Sequence, residues 1–297
     1  MPTFSIARGA AALFLGLSSF AAANDNISIP AGSTYKGSLE TRNGSIRIGD
    51  EAIIEGAVES RNGRIEAGSS VRAGDVYTRN GAIELGEDGE YGRIESRNGH
   101  IEVGDRSTTG DLKARNGRIT IGVSSQTASL ESRNGGITVA GDTLVDGSVN
   151  TRNGSVSLAS GSRVTGQITT RNGGVVLEGA TAEQGIQTLA GDIVLKGTSR
   201  SGGDLVIEIS QDSASRNGGF FGFGADTSWP EAGNIRVLDG SEVDGHVIVL
   251  LPKDYDEKLP TVEISGDSTV TGNLRIDSRV ELLVEGTVEG DIERITP

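Results

Sequence analysis

The chain has 297 residues, with 41 acids against 27 bases, 45 glycines, 4% aromatic residues and no cysteine. The missing cysteine excludes a disulfide framework, a zinc ribbon, a thiol nucleophile and a lipidated thiol anchor, and a formal charge of −14 speaks against neutralising nucleic-acid phosphates. So much glycine with so few aromatics would suit a disordered chain, but Val, Ile and Leu recur at fixed places, so the glycines read as punctuation in an ordered one.

At the amino terminus Arg8 precedes an apolar run from Ala10 to Phe20, and Ala21-Ala22-Ala23 puts small residues at both positions a signal peptidase reads. This predicts a cleavable signal peptide over 1–23. The run is about half the roughly 20 residues a spanning helix needs, so no integral membrane span is expected after cleavage. Losing Arg8, the one charged side chain in the segment, moves the charge from −14 to −15. The expected location is the periplasm or the exterior.

From residue 24 the chain is repetitive. Arg-Asn-Gly stands at 42–44, 61–63, 79–81, 97–99, 115–117, 133–135, 152–154 and 171–173, always 18 or 19 residues apart, and a degenerate ninth unit follows at Thr188-Leu189-Ala190-Gly191. Asn-Gly between alternating apolar residues is ordinarily a hairpin signal. Here, however, glycines also recur six and twelve residues on, as at Gly68 and Gly74 after Asn62. Three corners per repeat would reverse the chain each time if each were a hairpin, whereas a three-sided coil lets identical repeats stack in parallel about 4.8 Å apart. The prediction is an all-β fold, a single-stranded parallel β-helix: a triangular β-solenoid of 18–19 residues per coil, expected to be right-handed.

Period-two spacing assigns the faces. Leu39, Val58, Val76, Ile94, Leu112 and Leu130 lie four residues before the corner Asn, with Thr41, Ser60, Thr78, Ser96, Ala114 and Ser132 two before it; both sets are predicted inward. Ile46, Ile65, Ile83, Ile101, Ile119 and Ile137 follow on the next side. The third side carries Val71 and Val164 but also Ser107, Thr109, Ser125 and Thr127 at equivalent places, and is expected to be loop-like. The corner Asn is expected to stack in amide ladders, and the corner Gly to supply φ > 0.

The residue between the inward hydroxyl and the Asn must point out. Arg42, Arg61, Arg79, Arg97, Arg115, Arg133, Arg152 and Arg171 therefore form an exposed column. One expectation is a salt-bridged structural ladder, with Glu40, Glu59, Glu95 and Glu131 two residues before their Arg and Glu66, Glu84 and Glu102 on the next side. The other is recognition of an acidic polymer, because arginine binds carboxylate or phosphate bidentately.

The Arg-Asn-Gly solenoid is predicted over 24–209, an aromatic-rich insertion over 210–232, and further coils with a cap over 233–297. Phe220, Phe221, Phe223 and Trp229 fall in the insertion, which reads either as a lid packed on the solenoid or as a docking surface for a partner. Leu251 to Pro260 reads as a loop between coils. His100 and His246 read as solvent-facing, no metal or cofactor site is expected, and no cluster with a catalytic arrangement stands out; Glu87, Asp88 and Glu90 are the densest acids.

The later coils repeat Ser/Thr-x-Val-x-Gly-x-[Val/Leu/Ile], as in Ser241 to Val247, Ser268 to Leu274 and, earlier, Ser162 to Ile168. This phrase resembles the bactofilins, and the Ser/Thr-Arg-Asn-Gly-x-Ile phrase resembles auto-transporter adhesin head-type solenoid domains; together they cover most of 36–294. The resemblance implies a triangular right-handed β-helix that forms polymers, although bactofilins are typically cytoplasmic and this chain opens with an export signal. The function expected is an exported, non-catalytic cell-envelope scaffold or adhesion module that self-associates end to end. The alternative is a binding module for acidic polysaccharide or another surface polyanion, and a polysaccharide-active enzyme stands third.

Overall fold

The computed structural model describes residues 25–210 and 229–297, and the backbone of the strands Phe20–Ala22, Ser215–Arg216 and Thr227–Ser228. Apart from the Phe20–Ala22 backbone, the expected signal peptide lies outside the described residues, as do Phe220, Phe221 and Phe223. Among the described residues there is no helix. Strands of two to four residues build three parallel sheets, the sides of a triangular β-solenoid of about 13 coils. The chain falls into two compact units, 1–149 and 150–297, and each is built this way.

In the first unit the first sides run from Leu39–Thr41 to Leu130–Ser132, the second from Ile27–Ile29 to Ile137–Val139, and the third from Thr34–Tyr35 to Leu144–Val145. Equivalent residues pair one coil apart, as in Val76↔Ile94 and Ile83↔Ile101. The β-branched columns are fully buried, and each such side chain contributes about 1.5–3 kcal/mol by leaving water. The second unit continues the grammar from Ile168–Thr170 and Val175–Glu178 to Leu274–Asp277 and Glu281–Val284. Its degenerate corner after Thr188 still makes a complete coil, with Ile186 and Ile193 buried.

The third side is not a loop. It is a sheet of two-residue strands, and its inward hydroxyls stitch coils together. Ser107 Oγ accepts from Gly89 N and Ser125 Oγ from Ser107 N, both at 3.1 Å, and Thr143 Oγ1 accepts from Ser125 N at 3.3 Å. A buried hydroxyl is tolerable here because each one is hydrogen-bonded.

A second hydroxyl ladder lines the Arg-Asn-Gly corner. Ser96 Oγ accepts from Gly99 N at 3.0 Å and donates to Gly81 O of the preceding coil at 3.1 Å. Ser60, Thr78 and Ser132 do the same, and Ala114 interrupts the series. The glycines of this corner do not adopt φ > 0; they are required because coils approach closely, so that a Cβ on Gly99 would run into the Gly81 carbonyl oxygen. Left-handed φ falls instead on Glu51, Ser70, Asp88, Arg106, Ser124 and Asp142, between 53° and 58°. The amides of Glu51, Ser70, Asp88, Arg106 and Ser124 donate to the next coil, as Ser124 N does to Gly141 O at 3.0 Å, and that bond holds an unfavourable backbone conformation in place.

One buried polar atom has no partner among the described residues. The Tyr91 hydroxyl sits inside the third side without a hydrogen bond, and burial pushes its pKa well above the ordinary phenol value. Tyr91→Phe removes this unsatisfied group at nearly constant shape. We expect it to raise unfolding stability by about 1–2 kcal/mol, read as a higher urea midpoint at unchanged slope.

Candidate functional site: an arginine ridge

The ridge is positioned by the corner beneath it. Asn62, Asn80, Asn98, Asn116 and Asn134 each donate Nδ2–H to the Oδ1 of the Asn one coil earlier at 2.6–2.7 Å. In the second unit Asn172 bonds Asn153 in the same way at 2.8 Å. The preceding backbone is equally regular, with Arg97 N on Thr78 O and Arg115 N on Ser96 O at 3.1 Å. The buried inward residue, a hydroxyl in every coil except that of Ala114, and the stacked amide fix both neighbours of each arginine, leaving its side chain directed outward. Six arginines, Arg42, Arg61, Arg79, Arg97, Arg115 and Arg133, therefore stand in one column of the first unit, spaced about 4.8 Å apart. Arg152 and Arg171 occupy the same place in the second unit.

The column is not a salt-bridged ladder. None of these eight guanidinium groups makes an ion pair among the described residues, and the acids expected to neutralise them are either engaged elsewhere or stand apart. Glu66 binds Arg47 at 2.7 Å and Arg64 at 2.9 Å, and the Arg64 and Arg47 guanidinium groups hold its carboxyl below the ordinary range. Glu84 is shared by Arg64 and His100, at 3.3 and 3.1 Å, so His100 is half-buried against a carboxylate rather than free in solvent. Glu131 is taken by Lys113 at 2.9 Å. Glu40, Glu59 and Glu95 lie two residues before their arginines, and no ion pair forms across that step.

A shallow groove of about 510 Å³ runs along this face between Tyr77, Glu95, Arg97, Lys113, Ala114, Arg115, Glu131 and Arg133. Four cations line it against two acids, and Glu131 is already bound to Lys113. Lys113 and Tyr77 were not singled out in the sequence, yet each occupies the column position that elsewhere holds Glu40, Glu59, Glu95 or Glu131. In the second unit the same position carries Asn150 and Thr169, so no acid flanks Arg152 or Arg171 there.

The remaining candidates have structural roles. Glu87 and Asp88 bind Arg106 at 2.5 and 2.8 Å, which holds the Asp88 carboxyl low, and Glu90 binds Arg72. His246 Nδ1 accepts from Asn273 N at 2.8 Å. Trp229 is turned inward, 7% exposed, and donates Nε1–H to Asp254 O at 3.0 Å. It belongs to a clasp on the 251–260 loop. Tyr255 Oη accepts from Ala232 N at 2.8 Å, while Arg279 donates to Pro252 O at 2.8 Å and to both oxygens of the buried Asp277. Among the described residues no group of three or more His, Cys, Asp or Glu is placed to hold a metal ion. Compared with known proteins, the chain matches no family model, no curated protein and no solved structure.

Proposed function

We propose that the protein is an exported, non-catalytic β-solenoid that serves as a cell-envelope scaffold or adhesion module and engages a linear acidic polymer through its arginine ridge. One observation carries this reading. All eight arginines of the repeated corner lack a carboxylate partner among the described residues, while Arg47, Arg64, Arg72 and Arg106 nearby are paired. Like charges stacked at strand spacing repel. A carboxylate or phosphate polymer lying along the column relieves that repulsion and supplies the bidentate partner each guanidinium lacks. The flanking acids favour a polymer with charges spaced along one edge over a densely charged one. The export component rests on the apolar segment and Ala21-Ala22-Ala23, and the bactofilin or adhesin-head kinship on the repeat phrases.

The test is retention on an immobilised polyuronate. Replacing Arg97, Arg115 and Arg133 by Gln removes three charge-assisted contacts worth about 1.5 kcal/mol or more each. Elution should move to much lower salt, corresponding to an affinity loss of roughly 10³-fold. Unchanged elution would reject the ridge as the binding surface.

A further inference from the structure

We propose that two corners of the arginine ridge modify themselves: Asn172 and Asn116 lose their side-chain amide nitrogens as ammonia without an enzyme, which sets a carboxylate beside Arg171 and beside Arg115. The inference stands apart from the polymer reading above, because it rests on which corner amides are hydrogen-bonded.

The chemistry belongs to the Asn-Gly dipeptide that every ridge corner carries. The glycine N gives up its proton and attacks the Asn Cγ. A C–N bond forms, the Cγ–Nδ2 bond breaks, and Nδ2 takes up the proton and departs as ammonia, leaving a five-membered succinimide. Water then opens the ring at either carbonyl, to aspartate or to isoaspartate, whose backbone runs through the side chain. Glycine has no Cβ to hinder the attack, and the arginine that precedes each Asn favours the deprotonated amide. What separates one corner from another is whether the N–H is held and whether the Asn side chain can turn.

In six corners the N–H is held. Gly44, Gly63, Gly81, Gly99, Gly135 and Gly154 each donate it to the hydroxyl three residues earlier, at 2.8–3.1 Å. A hydrogen bond of ordinary strength lowers the population of free N–H by about tenfold. The other two corners lack it. Ala114 stands in the hydroxyl place before Gly117, and Gly117 N has no hydrogen bond among the described residues. Before Gly173 a hydroxyl is present but engaged elsewhere. Thr170 Oγ1 donates to Gly173 O and to Thr188 Oγ1, the latter at 2.9 Å, and Gly173 N is likewise without a bond among the described residues.

The side chains then rank the two. Asn116 is clamped between coils: its Nδ2 donates to Asn98 Oδ1 at 2.7 Å and its Oδ1 accepts from Asn134 Nδ2 at 2.6 Å. Asn172 ends its ladder. Its Nδ2 donates to Asn153 Oδ1 at 2.8 Å, but Ala190 holds the Asn place of the next coil, and Asn172 Oδ1 has no partner among the described residues. Turning the amide toward the glycine N breaks two bonds at Asn116 and one at Asn172, so Asn172 reacts first. Both side chains are exposed to the water that opens the ring. Each conversion adds a negative charge to a column whose arginines make no ion pairs. Asn217-Gly218 lies outside the described residues and is not ranked.

The experiment incubates the purified full chain at mildly alkaline pH and follows every corner by peptide mass spectrometry, with isoaspartate separated by chromatography. Asn172 should convert fastest and Asn116 next, with the six capped corners about tenfold or more behind Asn116. Ala114→Ser supplies the missing acceptor and should slow Asn116 to the rate of the capped corners. Ser96→Ala takes the acceptor from Gly99 and should speed Asn98 by about tenfold; where circular dichroism shows that this variant does not fold, Ala114→Ser decides alone. Equal rates at all eight corners, a capped corner converting before Asn172 and Asn116, or Ala114→Ser leaving Asn116 unchanged would overturn the inference.

Discussion

Gly99→Ala should lower the stability of the first unit by about 2–3 kcal/mol, although it adds a single methyl group at the surface of a coil. The added Cβ would collide with the Gly81 carbonyl oxygen, and that oxygen also accepts the Ser96 hydroxyl. The coils cannot separate to make room without breaking both the hydroxyl bridge and the Asn80–Asn98 amide bond at 2.6 Å. Overpacking of a tightly stacked site typically costs about 1–3 kcal/mol, and the rigid ladder puts this case at the upper end. Gly266→Ala is the control, since its Cβ would meet nothing closer than Glu285 O at 3.9 Å. Denaturant midpoints of the two variants should differ clearly; equal midpoints would contradict the close-approach account of the corner.

Asp277→Ala should destabilise the second unit by about 3 kcal/mol. Asp277 is 2% exposed and accepts Arg279 N and Nε at 3.0 Å and Nη2 at 2.9 Å. Removing one partner of a largely buried pair strands the other charge, and here Arg279 also loses its aim at the carbonyl oxygens of Pro252, Lys253 and Tyr255. Burial alone would raise the Asp277 carboxyl pKa, but the bonds from Arg279 outweigh it and hold the pKa below the ordinary range. A depressed carboxylate contributes stability above its unfolded pKa of about 3.9, and that contribution is lost as pH falls through the folded value. The stability gap between wild type and Asp277→Asn should therefore be constant near neutrality and shrink below about pH 4. A gap that persists unchanged into acid would mean that Asp277 acts by packing and not by charge.

The two sides of the coil that carry three-residue strands were legible because alternation over Leu39-Glu40-Thr41 and Ile46-Arg47-Ile48 repeats at a fixed offset from each Asn. The amide ladder was legible for the same reason. The third side was not, because two residues per strand are too few to show a period and its inward places hold Ser and Thr. Their burial becomes favourable only when the adjacent coil supplies a partner, as Ser125 does for Ser107. The reason for the corner glycines was also hidden, since the Gly81 carbonyl that excludes a Cβ on Gly99 comes from another coil. Outward pointing of the arginines followed from counting, but their lack of ion pairs did not: Glu66 and Glu84 are nearer to Arg47 and Arg64 on their own sheet than to the ridge. Trp229 reads equally as part of a packed lid or of a docking surface while Asp254, its hydrogen-bond acceptor 25 residues on, is out of view; the structure places it in the packed arrangement.

The most direct test of the ridge is the dependence of binding on polymer length. Six arginines in the first unit span five coil steps, about 24 Å at 4.8 Å per step. Titration with oligogalacturonates of increasing length should show affinity rising with each added sugar until the chain covers that span, then levelling. The rise should vanish in the Arg97, Arg115 and Arg133 to Gln variant and persist when the paired Arg47, Arg64 and Arg72 are changed to Gln instead. Binding that is independent of length, or lost equally in both triple variants, would contradict a ladder of unpartnered arginines as the recognition surface.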